Sequence, residues 1–139
     1  MPELLFTLYG RPHPQKQYQI SRGKLYNPSY GDRLEIRKKI LEQLEFDFVP
    51  LKGPIHLQLF FYFAPPASFS KKKRAALLAT PYHVIRPDFD NLAYLITNAV
   101  KTIAIEDDCQ VCDATIKKRW GEEDKTIILI KELEESGCA

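Results

Sequence analysis

The chain has 139 residues, of which 45% are hydrophobic and 27% charged, the balance of one globular domain that can bury a core without disulfide or metal staples. A formal net charge of +2 excludes a global basic field, so a polyanionic partner has to be met by a local patch. Three cysteines, no signal-peptide pattern and no apolar run near the length of a membrane span predict a reducing, cytoplasmic setting with no membrane contact.

Leu4 to Leu8 predict a short first strand, closed by Gly10, Pro12 and Pro14. Lys16 to Tyr26 is polar and basic with interleaved aromatics and a glycine at the turn. It reads as a hairpin or an extended arm, the alternative being a solvated loop. From Asp32 to Phe48, Leu34, Ile36, Ile40, Leu41 and Leu44 are set among charges, which predicts a helix packing one face. Ile55, Leu57, Leu59, Phe61 and Phe63 then alternate with His56, Gln58, Phe60 and Tyr62, as in a strand buried on at least one side. After Pro65 and Pro66, a serine ahead of Lys71, Lys72, Lys73 and Arg74 suits the N-cap of a basic helix. Four consecutive cations are ordinarily a solvated helix face and by themselves a weak sign of nucleic acid.

The centre of the chain is Arg86-Pro87-Asp88-Phe89-Asp90-Asn91-Leu92, read together with Glu106-Asp107-Asp108. Between them Leu92, Leu95, Ile96, Ala99, Val100 and Ile103 keep the rhythm of an amphipathic helix. Pro87 disfavours helix at Arg86 and aspartate is a good N-cap, so the helix begins near Asp88 or Asp90. The second acidic pair then lies about 20 Å further along. It meets the first only if the following strand runs back beside the helix and Asp108 folds toward Asp88 and Asp90. Asp88, Asp90 and Asp108 are hard oxygen donors of the kind Mg²⁺ prefers, and crowded carboxylates resist ionising together without a cation. A helix cap accounts for one aspartate of the first pair but not for Asp107 and Asp108. A calcium EF-hand fails, because Leu92 and Ala93 stand where an oxygen ligand and a glycine belong.

Gln110 to Trp120 alternates and Thr126 to Ile130 is an apolar run, which together predict a closing antiparallel hairpin around Gly121-Glu122-Glu123-Asp124. Lys118 shares a strand face with Cys112, Ala114 and Ile116, either snorkelling at a sheet margin or aimed at the acidic site. Cys109 and Cys112 have CxxC spacing but would point to opposite faces of a strand, with no second pair to complete a zinc site. Buried cysteines are expected instead. His13, His56 and His83 are scattered, and neither a Ser/His/Asp order nor a phosphate-cradling glycine loop is present.

The string at 86 to 92, followed by a helix and then Glu-Asp-Asp-Cys-Gln-Val at 106 to 111, resembles the signature of RusA-type Holliday junction resolvases. Gly10-Arg11-Pro12-His13-Pro14-Gln15-Lys16, Ser70-Lys71-Lys72 and Lys118 also resemble parts of that family, so the likeness covers nearly the whole chain. It implies a compact α+β domain over residues 1–139, a mixed sheet packed against helices, and a homodimer. The implied activity is Mg²⁺-dependent cleavage of branched DNA, with Mn²⁺ as a substitute and no organic cofactor. The family's acidic ligands carry over onto Asp88, Asp90 and Asp108, with Asp107 in the adjoining position and Lys118 as a catalytic lysine. Arg11, Lys16, Arg22, Lys71, Lys72, Lys73, Arg74 and Arg86 would position phosphates without reading bases. The chain departs from the pattern at Tyr94, where the family has a lysine, and at Asn98, where it has an aspartate. A second expectation is therefore a branched-DNA binding protein of the same fold with weakened catalysis, and a third a metal-binding domain with no nucleic-acid role.

Overall fold

The computed structural model describes residues 3–134. In chain order the elements are β1 (Glu3–Tyr9), β2 (Gln19–Ser21), β3 (Lys24–Tyr26), α1 (Tyr30–Gln43), β4 (Ile55–Phe63), α2 (Lys71–Ala79), α3 (Phe89–Val100), β5 (Val111–Trp120) and β6 (Lys125–Glu132). Four strands form a mixed sheet in the order β1-β6-β4-β5, and β2 and β3 form a separate hairpin in the basic arm. This is the expected α+β domain. β4 is central, parallel to β5 and antiparallel to β6.

Alternation along β4 decides which face is covered. Ile55, Leu57, Leu59, Phe61 and Phe63 are all buried, and with Phe6, Leu8, Ile128 and Ile130 they meet Leu92, Leu95, Ile96, Ala99 and Val100 of α3 and Ile36 and Ile40 of α1 in one core. Each of the larger side chains, the leucines, isoleucines, phenylalanines and Val100, contributes roughly 1.5–3 kcal/mol by leaving water. The opposite face is only half covered. There Lys117 lies over the Phe60 ring and Lys125 over that of Tyr62, at 5.8 and 5.5 Å from the centroids, shielding apolar surface with their stems.

Two expectations are corrected. The helix at 32–48 ends at Gln43, and Leu34 and Leu41 are exposed; only Ile36 and Ile40, one turn apart, fall on the stripe that meets the sheet. β5 and β6 are not a hairpin, because β4 lies between them. The chain leaves β5 at Trp120, opposite Phe63, crosses the end of β4, and re-enters the sheet at Lys125, opposite Tyr62. Gly121 makes that crossing possible: its N–H donates to the Phe63 carbonyl at 2.9 Å, and a Cβ there would meet Tyr62 at 3.2 Å.

The two sheet edges differ. On β1, the Gln43 side chain bonds both the N–H and the C=O of Thr7, at 3.1 and 3.0 Å, and Lys39 Nζ donates to the Tyr9 carbonyl. These contacts blunt the edge against further pairing. On β5, segment 81–83 covers only the far end, through Trp120 N–H to Pro81 O at 2.7 Å and a bridge between Tyr82 and Arg119. No helix among the described residues is long and apolar enough to cross a membrane.

Candidate functional site

The buried stripe of α3 holds its first turn at the surface. Arg37 fixes the other end, donating from Nη1 to the carbonyls of Ala99 and Lys101 and from Nη2 to Thr102 Oγ1, which satisfies carbonyls that a helix end leaves without partners. Asp88 occupies the N-cap position and its carbonyl accepts from Leu92 N–H at 3.1 Å, yet its carboxylate makes no capping bond. Asp90, one step inside, accepts among the described residues only from its neighbour Asn91 N–H, at 3.0 Å. Both carboxylates are exposed, so neither is committed to holding the helix.

β5 runs back beside α3, as the aspartate spacing requires, but what it brings to Asp88 is a cation. Lys118 Nζ donates to the carbonyls of Ile85 and Pro87 at 2.6 and 2.5 Å, pinning the turn that carries Asp88. Loss of water lowers the pKa of Lys118, and the nearby Asp88 charge partly offsets this. His83, which no sequence motif marks, lies under the same turn. It is 5% exposed, is stacked on Phe63 at 4.1 Å, and neither ring nitrogen has a partner among the described residues. Burial, then the Lys118 and Arg11 charges, lower its pKa to about 4. His83, Arg86, Asp88, Asp90 and Lys118 line an open recess of about 900 Å³.

The second acidic pair is elsewhere. Asp107 caps a short 3-10 turn at Asp108–Gln110, with Gln110 Oε1 accepting the Asp107 N–H at 2.7 Å. Gln110 Nε2 ties that turn to the carbonyls of Leu51 and Gly53, each at 2.9 Å. Asp108 pairs with Lys101 at 3.6 Å, at the C-terminal end of α3. A hydrogen bond with the Asp108 side chain holds the Asp107 carboxyl below its ordinary pKa. The expectation that Asp88, Asp90, Asp107 and Asp108 meet within one chain is therefore corrected. The full length of α3, roughly 20 Å at 1.5 Å per residue, separates the pairs, because Asp108 precedes the strand that runs back. Among the described residues no three His, Cys, Asp or Glu side chains come close enough to hold an ion. The first pair alone still suits Mg²⁺, which is commonly held by one or two carboxylates together with water and substrate phosphates.

The expected DNA-contacting cations divide into groups. Lys16 and Arg86 both line a second recess, of about 800 Å³, which also takes in Asp88 and Tyr94. Arg11 lies over the Phe63 ring at 5.4 Å, and Arg22 sits at the tip of the β2–β3 hairpin with φ 52°. On α2, which buries no residue, Ser70 caps the Lys73 N–H at 3.1 Å. Lys73 Nζ stands 3.8 Å from the Phe69 centroid and Arg74 bonds the Pro65 and Pro66 carbonyls, which leaves Lys71 and Lys72 as the free exposed charges of the run. Cys109, in the 3-10 turn, and Cys112, on the edge strand β5, are both exposed, not buried as expected.

An α+β domain with two uncommitted carboxylates and several cations around an open recess has the make-up of a protein that handles phosphodiesters. The chain belongs to the RusA family of endodeoxyribonucleases: the model of that family, endodeoxyribonuclease RusA, matches residues 10–131. The matched span holds every acidic and basic site residue named above. The chain is also 28% identical over 138 residues to YqaN, an uncharacterised protein of Bacillus subtilis (strain 168), with 92% of this chain and 95% of YqaN covered.

Proposed function

We propose that this protein is a Mg²⁺-dependent, structure-selective endonuclease of the cytoplasm that resolves four-way DNA junctions by paired nicks, acting as a homodimer and accepting Mn²⁺ in place of Mg²⁺. The observation that carries this is the uncommitted Asp88 and Asp90 pair beside Lys118, within the span matched by a nuclease family. Asp88 and Asp90 would hold the ion, whose chemistry is to neutralise the phosphate and steady the departing oxygen. Lys118 keeps Asp88 in place through the Ile85 and Pro87 carbonyls. Arg86, Lys16, Lys71 and Lys72 supply phosphate contacts indifferent to sequence, as recognition of a branched shape requires.

A homodimer answers the separation of the acidic pairs. α3 and the open edge of β5 run in opposite directions, with Asp88 and Lys118 at one end and Asp108 at the other. A two-fold axis through the middle of that edge reverses one copy against its partner. The second acidic pair of each copy then approaches the first pair of the other, and the dimer carries two symmetric sites, the number that paired nicks across a junction need.

The test is a labelled four-way junction incubated with the protein, with and without Mg²⁺, beside Asp90→Asn. Symmetric nicks that require Mg²⁺ are expected from the parent, and Asp90→Asn should bind the junction as well or more tightly without cutting it. Near-parental cutting by Asp90→Asn would remove the site. Tight binding with no cutting by the parent would instead favour a junction-binding protein in which Tyr94 and Asn98 have weakened catalysis.

A further inference from the structure

We infer that the recess between the basic arm and the first turn of α3 is a nucleobase subsite. It takes one unstacked nucleotide beside the cleaved phosphate, with Tyr94 and Tyr18 as stacking surfaces and Gln17 as the group that meets the base edge. This deepens the nuclease reading and rests on it. The recess measures about 800 Å³, within the range of roughly 300–1,000 Å³ usual for ligand pockets.

The walls are fixed before anything binds. Gln15 N–H donates to the Asn91 carbonyl of α3 at 2.8 Å, Lys16 N–H to the buried Ser29 Oγ at 2.8 Å, and Gln15 Nε2 to Asn27 Oδ1 at 2.7 Å. The arm is thus stitched across the start of α3 although it has no regular structure there. On these walls Tyr18 and Tyr94 are 51% and 50% exposed, a large aromatic surface left in water. Of the three glutamines in the arm, Gln15 is held by Asn27, and Gln19 Oε1 accepts from Tyr26 Oη at 2.6 Å. The Gln17 amide alone makes no hydrogen bond among the described residues and can offer both a donor and an acceptor.

The composition selects the occupant. Flat aromatic surfaces, a free amide and two cations, Lys16 and Arg86, match a base, its edge and its flanking phosphates. The acidic recess shares Arg86 and Asp88 with this one, so a nucleotide lying here places its own phosphate at Asp88 and Asp90. Where a junction opens on the protein, the bases flanking the crossover lose the stacking neighbour across the branch point and cost less to draw out. Tyr94, where a lysine would otherwise stand, becomes a platform in place of a charge.

The experiment uses the full-length protein in Ca²⁺ to suppress cutting, with four-way junctions carrying 5-iododeoxyuridine at single positions around the crossover. After near-ultraviolet irradiation, adducts are mapped by peptide mass spectrometry, and junction affinity is measured for the parent, Tyr94→Phe and Tyr94→Leu. Adducts on Tyr94 or Tyr18 from one position are expected, retained in Tyr94→Phe, with binding weakened roughly tenfold in Tyr94→Leu. Adducts confined to other residues, or parental affinity in Tyr94→Leu, would overturn the subsite while the nuclease assignment stands. A parent protein that binds no junction at all would overturn both.

Discussion

At the residue scale, Pro87 and the two aspartates narrowed the start of α3 to Asp88 or Asp90, and the cap position falls to Asp88. That its carboxylate stays free of capping was not legible, since the same residue fits either use. Lys118 was visible as a lysine out of keeping with its strand face, but its partners are backbone carbonyls, which no side-chain pattern announces. His83 left no trace in the sequence, because its position depends on Phe63 and on Trp120, whose ring lies 4.5 Å away. Its pKa, lowered to about 4 from 6.5, has a consequence with a definite sign. Between those values the unfolded chain binds a proton that the folded protein refuses, so the contribution is intact above pH 6.5 and is lost as pH falls toward 4. Stability should drop by about 2–3 kcal/mol over that window, beyond whatever the carboxylates contribute. His83→Phe keeps the stack on Phe63 and cannot take the proton. Urea unfolding at stepped pH should therefore show a shallower acid slope for the variant, and parallel slopes would mean that His83 is not held neutral by burial.

At the element scale, alternation and turn residues located every strand and helix of the sheet layer. They failed on pairing, because a period of two fixes which way side chains face and leaves the neighbour undetermined. The continuous apolar stretch Ile127 to Ile130 carried the missing hint. A strand apolar on both faces belongs inside a sheet, and β6 does lie between β1 and β4. The serine N-cap of α2 was read correctly, though the charges of the helix proved unequal. With Lys73 over Phe69 and Arg74 bonded to carbonyls, Lys71 and Lys72 are the pair free to meet phosphate. Replacing both with glutamine should weaken junction binding and reduce the slope of log affinity against log salt by roughly 2, close to one released counterion per contact. An unchanged slope would return α2 to the status of a solvated helix face.

At the scale of the whole molecule, the acidic motif is complete in the sequence and divided in the fold, and pooling of the two halves across a dimer is open to a decisive test. Asp90→Asn damages the first acidic pair and Asp108→Asn the second, so each variant alone should fail to cut a junction. In a mixed dimer built across a two-fold axis, one site receives both damaged halves and the other receives Asp88 and Asp90 from one copy and Asp108 from its partner, all intact. Random pairing makes about half of the dimers mixed, so roughly a quarter of all sites recover. The two variants, co-refolded from urea or co-expressed with different tags, should nick one strand of the junction although neither parent does. The product should be nicked and not resolved, since the second site of the same dimer is dead. If each site were built from one chain, every site in the mixture would carry one of the two substitutions and no nicking would return. Absence of nicking from mixed dimers purified through both tags would therefore place the catalytic carboxylates within a single chain, and the separation along α3 would have to close by movement of the Asp107–Asp108 turn.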